Sequence, residues 1–207
     1  TTNSDVDYYA FTLSQAGYLA LNFKHASNGD GRTFWYADLT SADGVTTYLA
    51  LNSAGSATDI TKMVGLPAGD YLVRVSQGIY ADDRDYTLTV SSTPGNHELE
   101  KNDEGASATP VTLGTTYSGN IQALTPKDVD YYSFTLAEPG QLAVNFKHTS
   151  NGDSRSFWRT SVMSSDEINT YLYTDVAGNA TDTTRKVGLP AGTYLLKVDQ
   201  GTYVDDR

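Results

Sequence analysis

Hydrophobic and polar side chains alternate with a period of two along much of the chain. In residues 17–25 the apolar side chains of Leu19, Leu21 and Phe23 share one face, and mostly polar or small residues lie on the other. The other segments that read as strands are residues 9–13, 34–41, 47–52, 60–64, 70–75 and 85–90. Turn residues separate them, and no segment carries the 3.6-residue period of a helix. Many short strands at even spacing are typical of an antiparallel sandwich.

This strand pattern occurs twice in the sequence. The segment Asp5–Tyr9 returns as Asp128–Tyr132, and each matched element is displaced by 123 residues. Residues 5–84 align with residues 128–207 without a gap, and 48 of these 80 positions are identical. A period this long indicates a duplicated domain and not a solenoid repeat. We therefore predict an all-β protein of two tandem antiparallel β-sandwich (jelly-roll-like) domains.

The two copies of the repeat include different segments at their ends. The first continues through the alternating residues 85–90, whereas the second reaches Arg207 before an equivalent strand. We predict a first repeat over residues 1–92 without its leader segment, an acidic linker over 93–110, and a second repeat over 111–207 without its last strand. A sandwich that is short of one strand exposes unpaired backbone groups. An edge-strand contact with a neighbouring molecule is one expectation, and truncation of a longer chain is the other interpretation.

Charge and composition indicate which kinds of binding partner and which cellular location to expect. The chain carries 14 basic and 25 acidic side chains, a formal net charge of −11. Because binding to phosphates needs a basic face, we expect no nucleic-acid partner. No apolar run approaches the ~18 residues of a membrane span, so we expect no membrane insertion. Cysteine is absent, which favours an extracellular or cell-surface location and removes thiolate metal sites.

Acidic residues gather in the linker and at one strand start of each copy. The candidates for a metal site are Glu98, Glu100, Asn102, Asp103, Asp128, Asp130, Asp5 and Asp7. In each Asp-Val-Asp segment the two carboxylates share one face of an extended strand, about 6–7 Å apart at the backbone. Ca²⁺ prefers carboxylate and carbonyl oxygens, so calcium is the cofactor that this pattern predicts. The alternative is a solvated strand start whose charge serves solubility.

The most distinctive loops end in a Phe-Trp pair, at residues 28–35 and again at 151–158. The candidates for ligand binding in these loops are Arg32, Trp35, Arg155 and Trp158. A guanidinium near an indole can stack on a sugar or a peptide group. Replacing both tryptophans by alanine is then expected to weaken ligand retention and to leave the fold intact. On a strand, one residue of each Phe-Trp pair must point inward, and the alternative is that both serve the core and the turn.

Other polar groups fit structural roles better than catalysis. The turns 80–84 and 203–207 carry adjacent Asp residues and an Arg, which can bind a cation, form an ion pair or stay solvated. His25 and His148 lie at strand ends, where satisfied core residues are expected. No zinc or nucleophile motif is present. A glycosidase uses two carboxyl groups whose pKa values differ because at least one of them is buried. The paired carboxylates of the Asp-Val-Asp segments lie at strand starts where we expect contact with solvent, so we expect no enzyme activity.

Three features in order carry a family resemblance. They are the leader Glu100–Asp103 with Pro110–Gly114, the segment Asp128–Leu136 after Gly119–Ile121, and the strand Leu189–Val198. In this order they resemble the bacterial pre-peptidase C-terminal domain, a β-sandwich module of secreted proteases and large surface proteins that is similar to the collagen-binding domains of collagenases. The resemblance implies noncatalytic roles in substrate or collagen binding, secretion or adhesion. It also implies calcium ligands in the leader and at the first strand, which correspond here to Glu98, Glu100, Asn102, Asp103, Asp128 and Asp130, with Asp5 and Asp7 in the first copy.

The sequence thus predicts a noncatalytic extracellular binding module of a large secreted or cell-surface bacterial protein, an adhesin or a secreted hydrolase. Calcium is expected to stabilise the module, and surface loops are expected to contact a polysaccharide or protein ligand. The alternative is a purely structural spacer whose linkers stiffen when calcium binds. A third interpretation is a hydrolase that acts on polysaccharide or peptide. It would need a buried pair of carboxylic acids, and the sequence contains no pair that we expect to be buried.

Overall fold

The computed structural model describes residues 5–122 and 128–203, which fold into two units of antiparallel strands. The first unit contains β1 Val6–Leu13, β2 Gly17–His25, β3 Thr33–Ser41, β4 Thr47–Ala54, β5 Asp59–Leu66, β6 Gly69–Gln77 and β7 Tyr86–Thr93. The second contains the 3-10 turn Gly105–Ser107 and the strands β8 Thr109–Pro110, β9 Val129–Leu136, β10 Gly140–Lys147, β11 Ser156–Ser164, β12 Thr170–Ala177, β13 Asp182–Leu189 and β14 Gly192–Gln200. Within these two described ranges, no helix has the length and hydrophobicity that crossing a bilayer requires. The predicted all-β class of antiparallel sandwiches is confirmed.

In the first unit two sheets enclose one core. The larger sheet has the strand order β1-β6-β3-β4, and the smaller has the order β5-β2-β7. Leu19, Leu21 and Phe23 of β2 are fully buried in the same cluster as Trp35 and Leu39 of β3. The period-two alternation places these side chains on the inner faces, and burying each of the aliphatic or phenyl side chains contributes about 1.5–3 kcal/mol to folding.

The second unit has the same plan with differences at its edges. Its larger sheet has the order β12-β11-β14-β9-β8, in which β8 adds a short parallel pairing to β9, and its smaller sheet is the pair β10-β13. The apolar core forms two clusters, one containing Trp158 and the other containing Val162. Thr160 lies between these residues on the same face of β11, where the first unit has Ala37. A hydroxyl group therefore interrupts the apolar surface of the second core.

The segment that precedes β9 changes the exposure of its tyrosines. Tyr8 and Tyr9 of β1 are 62% and 43% exposed, whereas the equivalent Tyr131 and Tyr132 of β9 are buried. In the second unit, β8 pairs with β9, and Tyr131 N donates a hydrogen bond to Asn102 O at 3.0 Å. The leader thus covers β9, and no segment of the described residues pairs with β1 on the equivalent edge.

A β-bulge changes the orientation of the Phe-Trp pairs. The register of β3 against β4 shifts between Thr33 and Trp35, and that of β11 against β12 shifts between Ser156 and Trp158. A bulge inserts one extra residue into a strand, so consecutive side chains no longer have to lie on opposite faces. Phe34 and Trp35 are both buried. The strict alternation expected of a regular strand therefore does not apply at these pairs.

Candidate functional site

The predicted linker is an ordered part of the structure. The His97 ring stacks on Tyr18 with ring centroids 4.7 Å apart, and Glu100 N donates a hydrogen bond to Gly65 O at 2.9 Å. Two residues further along, Asn102 O accepts the hydrogen bond from β9. The linker is therefore attached to β5 through one part and to β9 through the next, although its polar composition is typical of a flexible connection.

Gly65 permits the close approach of the linker to β5. A Cβ atom at Gly65 would lie 1.8 Å from Glu98 O, whereas one at the repeat-equivalent Gly188 would have no described atom within 4 Å. We expect Gly65→Ala to push the linker off β5 and to lower the free energy of unfolding by roughly 1–3 kcal/mol. Gly188→Ala is the matched control, with an expected change within about 1 kcal/mol.

Denaturant unfolding and hydrogen exchange at the amides of residues 97–103 measure both glycine variants. Faster exchange is expected in Gly65→Ala alone. Equal exchange rates in the two variants would show that the close contact at Gly65 does not hold the linker in place.

The structure buries most of the predicted calcium ligands. Asp103 is half-buried, and the residues that are at most 5% exposed are Glu98, Glu100, Asn102, Asp128 and Asp130. Moving an ionised carboxylate out of water costs several kcal/mol unless a cation or hydrogen bonds compensate it. Lys101 compensates little, since its Nζ lies 3.9 Å from Asp103 Oδ2 and its side chain is partly exposed. A bound cation is one group that could stabilise buried carboxylates gathered in this way.

Asp103 and Asp128 are brought together in the second unit, although they lie far apart in the sequence. Each places a carboxylate oxygen within 4.8 Å of the other. Val129 N donates a hydrogen bond to Asp103 Oδ1 at 3.4 Å, and Gln122 N donates one to Asp128 Oδ2. These backbone donors orient the two carboxylates at the start of β9, where Asp130 follows two residues later.

Asn102 offers a further oxygen in the same segment. Its Nδ2 donates hydrogen bonds to Thr109 Oγ1 at 3.3 Å and to Tyr131 O at 3.4 Å. Its buried Oδ1 accepts no hydrogen bond from the described residues. Just before it in the chain, Glu98 and Glu100 place their carboxylate oxygens within 4.8 Å of each other. All of these groups are hard oxygen donors, which suit Ca²⁺ better than a transition metal.

The Asp-Val-Asp segment of the first unit is arranged differently. Asp5 is exposed and Asp7 is half-buried, and Asp7 Oδ2 accepts a hydrogen bond of 2.5 Å from the hydroxyl of Tyr86. Within the described ranges, neither aspartate belongs to a group of three metal-ligating side chains. The metal site predicted at Asp5 and Asp7 therefore lacks the surrounding donors that the second unit supplies.

Each unit presents an arginine over an exposed tyrosine ring. Arg32 Nη2 lies 2.5 Å from Asp30 Oδ2, and its guanidinium carbon lies 3.9 Å from the centroid of Tyr80. The hydrogen bonds from Arg32 lower the pKa of Asp30 below its usual value, so both groups are charged. In the second unit, Arg155 lies 4.1 Å from the centroid of Tyr203. More than half of each arginine side chain is exposed, which leaves both available to a ligand.

Tyr80 and Tyr203 are absent from the predicted binding residues. Both tyrosines were assigned to turns, because the prediction of binding considered the arginine and tryptophan of the loops. One signal could have identified them, since each tyrosine is retained at the same position relative to its arginine in both copies and precedes an Asp-Asp-Arg segment in both.

The rings of Trp35 and Trp158 are core groups. They are 5% and 4% exposed, and their centroids lie 4.0 Å from His25 and 4.1 Å from His148. His25 Nε2 is hydrogen-bonded to Ser53 Oγ at 2.9 Å, as expected of a satisfied core histidine. Because so little of either ring reaches the surface, this burial favours the alternative that the two tryptophans serve the core over the prediction that they contact a ligand.

The turn after β6 is closed by an ion pair in the first unit. Asp82 Oδ1 accepts a hydrogen bond from Arg84 Nε at 2.8 Å, and Asp82 Oδ2 accepts one from Asn28 Nδ2 at 3.0 Å. The arginine contributes most to lowering the pKa of Asp82 to about 2, so the pair is charged at neutral pH. Of the three roles considered for this turn, ion pairing is the one observed. In the second turn, residues 204–207 lie outside the described residues.

A shallow groove of about 420 Å³ lies beside β9 in the second unit. Its lining residues are Pro110, Val111, Thr112, Leu113, Ser133, Phe134, Thr135 and Thr193. None of these side chains titrates near neutral pH, so the groove supplies no general acid or base for catalysis.

Comparisons with known proteins leave the family open. No protein-family model matches the chain, and no curated protein matches its sequence. The resemblance to the pre-peptidase C-terminal domain therefore stays a prediction.

Three solved structures show a distant likeness. One is the M60 catalytic domain with the CBM51-1 and CBM51-2 domains of Clostridium perfringens ZmpB, at 9% identity and a TM-score of 0.33, covering 95% of this chain and 32% of that one. Another is the tandem CBM51 modules of a Streptococcus pneumoniae family 98 glycoside hydrolase, at 9% identity and a TM-score of 0.29, covering 96% and 77%. A third is a Paenibacillus cycloisomaltooligosaccharide glucanotransferase complexed with cycloisomaltoheptaose, at 12% identity and a TM-score of 0.27, covering 94% and 40%. The chain spans about a third of the first structure, and likenesses this weak say nothing about function.

Proposed function

We propose that the chain is a noncatalytic extracellular binding module of a larger secreted or cell-surface bacterial protein. Its surface loops contact a polysaccharide or protein ligand, and Ca²⁺ stabilises its second unit. The observation that carries the proposal is the exposed arginine–tyrosine pair, Arg32 with Tyr80 and Arg155 with Tyr203, which both repeats present.

The chemistry of this pair suits a sugar or a peptide group. The guanidinium of Arg32 offers several hydrogen-bond donors in one plane, and the neighbouring Tyr80 ring offers an apolar face and a hydroxyl. Asp30 holds the guanidinium in place before a ligand arrives, so little conformational entropy is lost on binding. Arg155 is held by Asp153 in the same way.

Calcium binding in the second unit is proposed from the burial of its acidic residues. Asn102, Asp103, Asp128 and Asp130 are the proposed oxygen ligands in this unit. Glu98 and Glu100, which the sequence also predicts as ligands, belong to the first unit. A catalytic role for these carboxylates is less consistent with their burial, since Asp128 and Asp130 are at most 4% exposed and a polymeric substrate could not reach them.

The binding proposal is tested with the double variant Arg32→Ala and Arg155→Ala on arrays of polysaccharides and extracellular proteins. We expect ligand retention to fall about tenfold or more, because each arginine at a binding site contributes on the order of 1–2 kcal/mol. The matched control is Lys24→Ala with Lys147→Ala. These repeat-equivalent lysines are exposed and ion-paired, so the control makes the same change in charge and should retain the ligand.

Retention at the wild-type level by the arginine double variant, with unchanged melting, would contradict the proposed contact. If the wild-type chain retains nothing on either array, the alternative of a structural spacer is favoured. That alternative is supported by the ordered linker, whose hydrogen bonds at Glu100 and Asn102 limit its freedom.

A further inference from the structure

The turn between β11 and β12 contains a glutamate with an unusual backbone conformation. Among the residues that the structure describes, Glu167 is the one non-glycine residue with a positive φ, at 60°. The repeat-equivalent turn between β3 and β4 has Gly44 at this position, with a φ of 73°. Left-handed backbone is unfavourable for a residue with a Cβ atom, and glycine is common at this position of hairpin turns. A glutamate here indicates that its side chain has a role elsewhere.

The turn itself does not depend on the glutamate side chain. In both repeats an aspartate within the turn accepts hydrogen bonds from a serine hydroxyl and from a backbone N–H. Gly44 N donates a hydrogen bond to Ser41 O at 2.8 Å, and Glu167 N donates one to Ser164 O at 2.9 Å. Both turns are therefore closed by the same bonds, and glycine and glutamate contribute only their backbone to them.

The carboxylate of Glu167 joins two segments of the second unit. Its Oε1 accepts a hydrogen bond from Gly105 N of the linker at 3.2 Å, and its Oε2 accepts one from the buried Tyr131 hydroxyl of β9 at 2.9 Å. A Cβ atom at Gly105 would lie 2.5 Å from Glu167 Oε1, so the glycine lets the carboxylate approach the backbone. Hydrogen bonds to an ionised acceptor are stronger than those between neutral groups.

These contacts lie beside the proposed calcium ligands. Gly105 follows Asp103 by two residues, and Tyr131 comes directly after Asp130. Tyr131 N also donates its hydrogen bond to Asn102 O. A carboxylate that bonds both segments limits how far the ligands on the linker can move from those on β9. Ligands that are held in place before the cation arrives lose less conformational entropy on binding.

We infer that Glu167 is a positioning residue, which fastens the linker to β9 and thereby raises the affinity of the calcium site. The inference rests on the proposed function, because it adds to that site a residue that is not itself a ligand. It explains why a glutamate occupies a turn position that favours glycine.

The variant Glu167→Gly separates this role from a role in the turn. Glycine suits the left-handed conformation, so hydrogen exchange in β11 and β12 should change little, whereas both hydrogen bonds of the carboxylate are lost. In EGTA we expect exchange at residues 102–109 to become about tenfold faster. Isothermal titration with CaCl₂ is expected to give a Kd about fivefold higher or more, since the ligands on the linker are no longer held in place.

Two further variants separate the hydrogen bonds from the charge. Glu104 is an exposed glutamate of the same linker, and its side chain makes no capping hydrogen bond. Glu104→Gln removes one negative charge and should keep the calcium Kd within about twofold of wild type. Glu167→Gln removes the same charge but keeps an acceptor for Gly105 N and a polar group beside the Tyr131 hydroxyl. Its Kd and exchange rates are expected to lie between those of wild type and Glu167→Gly.

Two results would each overturn the inference. One is an equal calcium Kd and equal exchange at residues 102–109 in wild type and Glu167→Gly. The other is a loss of affinity in Glu104→Gln as large as that in Glu167→Gly, because charge alone would then explain the effect. A wild-type chain that gives no heat with CaCl₂ is a different result, which would contradict the calcium site itself and with it this role of Glu167.

Discussion

Replacing Trp35 by alanine lowers the free energy of unfolding of the first unit by about 3–5 kcal/mol, the range for aromatic-to-alanine changes in protein cores. The ring centroid of Trp35 lies 4.0 Å from His25, 5.9 Å from Phe34 and 6.1 Å from Phe23. Its removal leaves a cavity that close-packed neighbours fill only in part. Trp158→Ala has the corresponding effect on the second unit. Denaturant unfolding followed by circular dichroism measures both losses.

Tyr8→Ala is the control for these variants. Tyr8 is an aromatic residue in the same fold, but most of its side chain is exposed, so the expected change is within about 0.5 kcal/mol. A Trp35→Ala protein with wild-type stability and impaired ligand retention would restore the interpretation that this ring contacts a ligand.

If the proposed site is correct, we expect calcium to raise the melting temperature of the wild-type chain and the double variant Asp128→Asn and Asp130→Asn to lose this response. At a free calcium concentration 100 times Kd, the stabilisation is about 2.7 kcal/mol, which corresponds to a rise on the order of 10 °C for a unit of about 100 residues. Asparagine keeps the size of each side chain and removes its charge. In EGTA the variant is therefore expected to melt at or above the wild-type temperature, since repulsion between carboxylates is relieved.

The repeat provides a matched control for the calcium experiment. Asp5 and Asp7 occupy the equivalent positions in the first unit without comparable burial, so Asp5→Asn with Asp7→Asn should keep the full calcium response. Scanning calorimetry and isothermal titration together measure stability and binding. If the wild-type chain melts at the same temperature in calcium and in EGTA, and titration gives no heat, the proposed site is wrong.

Strand β2 illustrates how much of the fold the hydrophobic pattern could predict. Its predicted range, residues 17–25, is the observed range, because Leu19, Leu21 and Phe23 alternate with more exposed side chains along the strand. Strand β5 was predicted over residues 60–64 and extends over Asp59–Leu66. Its ends carry no alternation, since Gly65 and Leu66 are both buried, so the pattern could not locate them.

The bulge in β3 could not be predicted from the pattern. One inserted residue lets Phe34 and Trp35 both turn inward, and two adjacent aromatic residues are equally consistent with a regular strand that has one ring in solvent. The pattern therefore could not show that the Trp35 ring lies in the core, whereas the Arg32 side chain of the same loop is exposed.

The candidate calcium site also shows that local sequence does not determine whether a side chain is buried. The segments Asp5–Tyr9 and Asp128–Tyr132 are identical in sequence, yet the aspartates of the second are buried and those of the first are not. Their environment is decided by the leader that lies over β9, a contact between residues distant in the chain. Local spacing could identify the carboxylates but not the burial that makes a cation site plausible.

The ordered linker also bears on how the protein withstands peptidases. A protease needs backbone that can be drawn out into its active site, so exposed loop tips are cut before ordered segments. The composition of the acidic linker is typical of a cleavage site. However, the hydrogen bonds at Glu100 and Asn102 and the burial of Glu98 prevent the linker from extending into the active site of a protease. Nicking is therefore directed to exposed tips such as those at Gly29 and Gly152, and the two repeats stay covalently joined.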